Sequence, residues 1–465
     1  MFKRFKERIK LLLPEEERKF LCLLMGISLF LRLGFIFLTS DAGVFSDMID
    51  YDNHALALLH GKYELPDRGP LYPLFLAIIY FFLGHSYLAV RIFQVFLGTF
   101  TCLMVYFIGK EAFNSKVGKL ASLFTAFYTS LISYTTFILS ENLFIPLFCL
   151  LIYTLFLAYS KKKLIYFIFS GIVLGLASFT RPVILPFILF ISIWIFTIGL
   201  DKKIAFKSAL VFIFTVVCLI VPWSLRMSIK YKSPILIEVY GGYNFLIGNN
   251  PLATGRFETK LIPILMDKYC KNAKDIIERE RISFQEGIGF IMRNPINFFQ
   301  LCIKKLRHFL SLEGREFAWV YGHNYFGHVP KSILILFIVL LIVPFIIISC
   351  LAISGICLFT TFDAKKGLLL ITILYYIGIH LVFFGESRFH LPIVPFLSIF
   401  AAAGFYSLKE FHRRYKNYHN VPVRSLLAIL LIGILFIFWS IQFFEQKDKI
   451  ITLVGHNGNL SDIDY

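Results

Sequence analysis

Five carboxylates crowd one short stretch of an otherwise apolar sequence. Asp47, Asp50, Asp52, Glu64 and Asp67 lie within SDMIDYDNHALALLHGKYELPDRGPLYP, residues 46–73, which also carries Arg68. A chain that is 58% hydrophobic needs no such cluster in order to fold. Asp47 and Asp50 are three apart, and Asp47 and Tyr51 four apart, so on a helix they share a face. A carboxylate there can act as general base on an acceptor hydroxyl, while a second one orients that group or binds a metal. A solvated acidic loop in which Asp47 caps a helix is the other reading of the same residues.

Three more charges stand where apolar sequence makes charge costly. Glu141, in the SEN turn at 140–142, has apolar residues on both sides, and Arg181 and Arg388 fall at the ends of apolar runs. Glu141 could instead simply favour a helix dipole after Ser140. Arginine forks suit a phosphate or pyrophosphate, and two or three of them at one membrane face could hold a lipid phosphate headgroup. Snorkelling to phospholipid headgroups is the plainer role for any one of them.

The elements that must position these residues are membrane spans. Only 16% of the 465 residues are charged, so the apolar surface has to face lipid. The net charge of +18 lies mostly in short clusters between apolar runs, which indicates membrane topology and not nucleic acid. Runs of about 20 residues, the length needed to cross the bilayer as a helix, fall near 20–39, 86–109, 117–138, 142–160, 164–180, 183–200, 204–223, 331–358, 367–384, 391–408 and 425–443. The expected fold is therefore all-α and polytopic, with about eleven transmembrane helices. Pro146, Pro182 and Pro186 leave the boundaries of the third to sixth free to slide. No small-residue cleavage site follows Leu38, so the first run is expected to stay as a helix.

Lys and Arg in the short connections set the orientation. With the N-terminus cytoplasmic, the basic clusters MFKRFKERIK, KEAFNSKVGK, KKK at 161–163, DKK at 201–203, DAKK at 363–366 and KEFHRRYK at 409–416 all fall inside. Residues 46–73, the SEN turn, Arg181, the segment 224–330 and ESRFH at 386–390 then share the extracytoplasmic face of a plasma or inner membrane. The chain divides into a transmembrane catalytic region at 1–223 with a first outer loop at 41–85, a mixed extracytoplasmic domain at 224–330, and C-terminal helices at 331–465. PLYPLFLAIIYFFLG is too short to span and reads as an interfacial or re-entrant helix.

Other candidates carry less information. His323 and His328 in GHNYFGH could bind metal, and Lys304, Lys305 and Arg307 could contact lipid phosphates, although a basic face of a surface helix explains the latter as well. Six of the eight cysteines fall in apolar runs, and Cys270 and Cys302 could pair. No P-loop, GxSxG or HExxH is present, which argues against nucleotide-driven transport, acyl-serine hydrolysis and zinc proteolysis.

The order of motifs resembles the GT-C glycosyltransferases, in the bacterial branch related to dolichyl-phosphate-mannose protein mannosyltransferases and the lipid A aminoarabinose transferase. It is carried by SDMIDYDNHALALLHGK, RGPLYPLFLAIIYFFLG, LSENLFIPLF, SFTRP, PWSLRM, GGYNFLIGNNPLATG, IMRNPINFFQLCIKKL and ESRFHLPIVPFL. Each string is loose alone; their order and shared side make the match. The resemblance implies a polyprenyl-phosphate-linked sugar donor, an acceptor lipid, glycan or protein, and an acid of the first outer loop as base. On this sequence that acid is Asp47, with Asp50 as the competing assignment. Met48 replaces the second acid of the eukaryotic Asp-Glu pair, so a second carboxylate must come from elsewhere, with Asp50 or Glu141 as the candidate. Asp52, Glu64 and Asp67 are left to loop solvation. Arg181 and Arg388, with Arg68, Arg226 and Lys305 as further donors, would bind the phosphate. Relatives differ in metal dependence, which leaves a divalent metal open. A transporter or lipid flippase is the rival from another class, although the ionisable His380 falls near a span end and not its centre. A glycan polymerase or ligase is a third reading that would differ in acceptor.

Overall fold

The computed structural model describes residues 14–39, 43–62, 67–315, 319, 330–358, 362–414 and 423–454, and all regular elements within them are helices. Glu64, His323 and His328 lie outside the described residues. In chain order the helices are α1 Glu15–Leu38, α2 Asp47–Leu59, α3 Leu71–Leu83, α4 Tyr87–Ala112, α5 Ser115–Phe127, α6 Glu141–Lys161, α7 Leu164–Thr180, α8 Phe187–Ile195 and α9 Lys202–Tyr231. They continue with α10 Gly241–Gly248, α11 Leu261–Cys270, α12 Ile276–Arg293, α13 Pro295–Phe309, α14 Lys331–Leu358, α15 Ala364–Val382, α16 Val394–Arg414 and α17 Val423–Val454.

Among the described residues, eight helical stretches are long and apolar enough to cross a membrane by length and composition. They are α1, α4, α6, α9, α14, α15, the run Ser387–Leu408 that includes most of α16, and the greater part of α17. The protein is an integral, all-α membrane protein. Starts are fixed locally where a polar side chain takes an orphan amide. The Ala89 N–H donates to Ser86 Oγ at 3.3 Å, Val117 N–H to Asn114 Oδ1 at 3.0 Å, and Lys366 N–H to Asp363 Oδ1 at 2.9 Å.

The three other expected spans are shorter helices, of which α7 alone keeps the full length of its expected run, 164–180. Helix α7 has 17 residues, and Pro182 and Pro186 confine the sixth to the nine of α8. The third, expected over 117–138, stops at Phe127 and continues only as the short turns Thr129–Ser133 and Tyr134–Thr136. Its carbonyls, which would be costly to leave unpaired among apolar helices, are taken by buried side chains instead. Gln94 Nε2 donates to Thr135 O and Phe137 O, both at 3.0 Å, Arg91 Nε to Thr136 O at 3.0 Å, and Asn142 Nδ2 to Tyr134 O at 2.8 Å. That irregular stretch leads straight into Glu141.

The most enclosed spans are α6, with 61% of its apolar window buried, and Ser387–Leu408, with 72%; the peripheral α17 has 22%. The first two carry Glu141 and Arg388 at their ends, so both charges are seated on the rigid middle of the bundle. Helix α16 crosses α14 closely, because a Cβ at Gly404 would run into the Leu351 carbonyl and the Gly355 backbone. Helix α3 is 13 residues long with Leu74, Ile78, Phe81 and Phe82 exposed, too short to cross and apolar enough to lie in an interface.

The segment 224–330, expected as a mixed domain, begins with the end of α9 and is helical in its described part, through α10 to α13. Helix α12 packs on α10, and α13 packs on α15. Cys270 and Cys302 are free thiols: Cys270 Sγ lies 3.6 Å from Ser283 Oγ, and the Cys302 thiol reaches Leu381 O at 3.7 Å.

Candidate active site

Helix α2 presents its first turn to a cavity of about 1130 Å³. Ser46, the residue before it, has φ +50° and ψ −135°, a region L-residues rarely adopt and one that recurs at functional sites. Asp47 is thus the first helical residue and does not serve as the cap. Its Oδ1 accepts from Arg68 Nη2 at 3.0 Å and its Oδ2 from Arg388 Nη1 at 2.8 Å. Arg68 also holds Asp50 Oδ2 at 2.7 Å. Burial alone would raise the Asp47 pKa, but the charges of Arg388 and Arg68 outweigh it and hold the carboxyl well below the usual range.

A second ion pair lines the same cavity. Arg181 Nη1 lies 2.5 Å from Glu141 Oε1, with the glutamate side chain only 2% exposed. Tyr51 Oη, one turn along α2 from Asp47, donates to Ser140 Oγ at 3.0 Å and ties this helix to the start of α6. Arg181 sits between the end of α7 and Pro182, whose ring disfavours a helical conformation at the residue before it. Arg68 is placed by the next residue: a Cβ at Gly69 would come within 2.5 Å of Phe179 O and 2.9 Å of Thr180 O. Only glycine lets this loop press against the end of α7, and that contact brings Arg68 and Arg181 into one wall.

Aromatic rings back the guanidinium groups. Arg68 lies over Tyr51 at 5.5 Å and Tyr240 at 5.0 Å, and Arg181 and Arg388 lie over Phe389 at 5.7 and 5.1 Å. Arg388 Nε is 3.6 Å from Glu386 Oε2, which also pairs with Arg315, and has no hydrogen-bond partner among the described residues. The wall therefore holds donor capacity that the protein itself does not use fully.

Of the residues singled out from sequence, Asp47, Glu141, Arg68, Arg181 and Arg388 line this cavity, and Asp50 reaches it through Arg68. Arg226 is exposed on α9 and is not in the wall. Lys305 is fully buried elsewhere, donating to Asn249 Oδ1 at 2.8 Å, and burial pushes its amine down to about 7. Neither Arg226 nor Lys305 is placed to meet a ligand that Asp47 also meets.

Asp52 and Asp67 do more than solvate a loop. Asp52 is buried and accepts from Tyr80 Oη at 2.7 Å and Tyr87 Oη at 2.9 Å, with His85 Nε2 also 2.9 Å away. Asp67 Oδ1 lies 2.7 Å from His54 Nε2. Sequence reasoning also passed over Glu238, Arg315 and Glu386. Glu386 could have been found, since it stands two residues before Arg388 in the same turn.

The carboxylates do not fit a metal in this arrangement. Arg68 bridges Asp47 and Asp50 where a cation would sit, and among the described residues no three His, Cys, Asp or Glu side chains are grouped to hold one.

Residues 67–225, from just before Arg68 through Glu141 and Arg181, match the family described as dolichyl-phosphate-mannose-protein mannosyltransferase. The oligosaccharyltransferase of Archaeoglobus fulgidus, tethered with an acceptor peptide containing the NVT sequon, superposes with a TM-score of 0.51 at 14% identity, over 89% of this chain and 53% of that one. The fold is of the GT-C type. The archaeal enzyme in complex with an inhibitory peptide and a dolichol-phosphate aligns at a TM-score of 0.48 and 14% identity, over 90% of this chain and 54% of that one. The chain thus spans about half the length of the archaeal enzyme, and at such identity the likeness is one of fold. No curated protein matches the sequence significantly.

Proposed function

We propose that this GT-C protein transfers a sugar, hexosyl or pentosyl, from a polyprenyl-phosphate-linked donor to a lipid, glycan or protein acceptor on the extracytoplasmic face of the plasma or inner membrane. The observation that carries the reading is the convergence of Arg68 and Arg388 on Asp47 in the wall of one large cavity. The matched family's description, which names a dolichyl-phosphate-linked mannose, supports the donor class. The lysine and arginine bias of the connections supports the face.

Three guanidinium groups in one wall suit a phosphate, because their forked donors match its oxygens. In the step itself, an acceptor hydroxyl oxygen attacks the anomeric carbon. The bond from that carbon to the phosphate oxygen breaks, and its electron pair leaves with the polyprenyl phosphate. Arg388, Arg181 and Arg68 stabilise the negative charge that develops there, and the hydroxyl proton passes to Asp47. Asp47 held by two arginines is a weak base. A donor phosphate competes for the same N–H groups, and as they turn to it the Asp47 carboxylate recovers its basicity. Glu141, paired to Arg181, keeps that arginine aimed at the cavity.

The test is to supply labelled polyprenyl-phosphate sugars to the purified protein in vesicles and to follow both bond transfer and passage across the bilayer. Label appearing in a new glycosidic linkage supports the proposal. Movement of intact donor across the vesicle without transfer sinks it in favour of a flippase.

A further inference from the structure

The other carboxylates on the cavity wall already have partners. Asp47 holds Arg68 and Arg388, and Glu141 holds Arg181. Glu280 accepts the Gly242 N–H at 2.6 Å and the Tyr243 N–H at 3.3 Å, Glu278 accepts the Lys274 N–H at 2.9 Å, and Asp275 accepts the Glu278 N–H at 2.8 Å. Glu238 lines the same cavity and has neither a hydrogen bond nor an ion pair among the described residues. Its carboxyl opens on the cavity, where a ligand can supply the donors that the protein does not.

The backbone that carries Glu238 is pinned. Ile235, Ile237 and Val239 are buried, while Leu236, Glu238 and Tyr240 between and beside them are more exposed. Trp223 Nε1 donates to Ile237 O at 2.9 Å, Ser224 Oγ to Ile235 O at 2.6 Å, and the Ile235 N–H to Ser228 Oγ at 2.9 Å. Glu238 is therefore a fixed feature of the wall, two residues before the Tyr240 ring that Arg68 covers. Burial raises its pKa to about 7 against the pull of Arg68 and Arg181, with Glu280 and Asp67 adding to the rise.

A carboxyl here disfavours a phosphate and favours neutral groups that donate hydrogen bonds, above all paired hydroxyls beside an aromatic ring. We infer that Glu238 holds the acceptor, by its hydroxyl groups, and makes the Tyr240 end of the cavity a subsite for a polyhydroxylated acceptor such as a glycan or polyol. This rests on the proposed glycosyl transfer, with Asp47 still taking the proton.

Two measurements on the full chain in liposomes test it. Treatment with a water-soluble carbodiimide and glycine ethyl ester near pH 6, read by mass spectrometry, is expected to modify Glu238 several-fold faster than Asp47 or Glu141. Methyl mannoside is expected to protect Glu238, and inorganic phosphate is not. No preference for Glu238, or protection by phosphate alone, overturns the inference. In the transfer assay, Glu238→Gln, with an unchanged thermal midpoint, is expected to raise the acceptor KM about tenfold or more and to leave the donor KM alone. An unchanged acceptor KM, or a donor KM that rises with it, also overturns the inference. Glycoside protection without any transfer by the unaltered protein leaves the subsite standing and removes the transferase reading.

Discussion

Asp47 and Asp52 lie on one 13-residue helix, yet their surroundings are opposite. Asp47 faces a cavity and is held by two permanent cations, with 23% of its side chain exposed. Asp52 is packed against two phenols and an imidazole, with 9% exposed. Charged partners facing open volume leave room for exchange, since a ligand of the right sign can displace them. Phenol partners in a packed interior leave none. On the proposed mechanism, the difference separates a group placed to react from a group that holds its helix in place.

The largest effect expected from breaking this contrast is at Asp47. Asp47→Asn should lower turnover by about 10² to 10⁴-fold with the thermal midpoint nearly intact; a near-normal transfer rate would remove its role as base. Next comes Arg388→Ala, expected to cost about 10² to 10³-fold and to weaken donor use more than acceptor use in steady-state assays. Equal loss on both sides would count against a phosphate role. Asp52→Asn should act the other way round. It leaves Tyr80, Tyr87 and His85 mismatched, lowers stability by about 1–3 kcal/mol, and changes turnover by less than Asp47→Asn does; thermal unfolding in detergent reads this directly.

Lys305 gives a smaller, pH-dependent effect. Its folded pKa, about 7, lies below the roughly 10.4 of an unfolded lysine, so between those values the unfolded chain binds more protons and stability rises with pH. The thermal midpoint should climb by a few degrees from pH 7 to 9.5, and Lys305→Met should flatten that slope. Smallest of all is Asp50→Asn. Asp50 is 50% exposed, and such a pair contributes about 0–1 kcal/mol, so transfer rates should stay within a few-fold. A loss as deep as that at Asp47 would move the base to Asp50.

Much of the architecture was legible because apolar runs of membrane length admit little besides helices. Asp47, Glu141, Arg181 and Arg388 stood out for a related reason, since charge in apolar sequence has to be used or paired. Asp52 did not stand out, because Tyr80, His85 and Tyr87 come from the next two helices and no local spacing announces them. Lys305 was misread through its neighbours: KKLR suggests a basic surface, but Leu301, Lys305 and Phe309 form the buried stripe of α13. Glu238 carries no motif at all. Only the alternation of Ile235, Ile237 and Val239 hints at which way it points.

The ion pair between Asp47 and Arg388 joins residues 341 positions apart. At about 5–20 residues per second, Asp47 leaves the ribosome roughly 17 to 70 s before Arg388 is made. Throughout that interval the nascent chain exposes an acid that lacks one of its two arginines. A chain that ends before Arg388 therefore lacks this ion pair, which forms only as the last helices take their places.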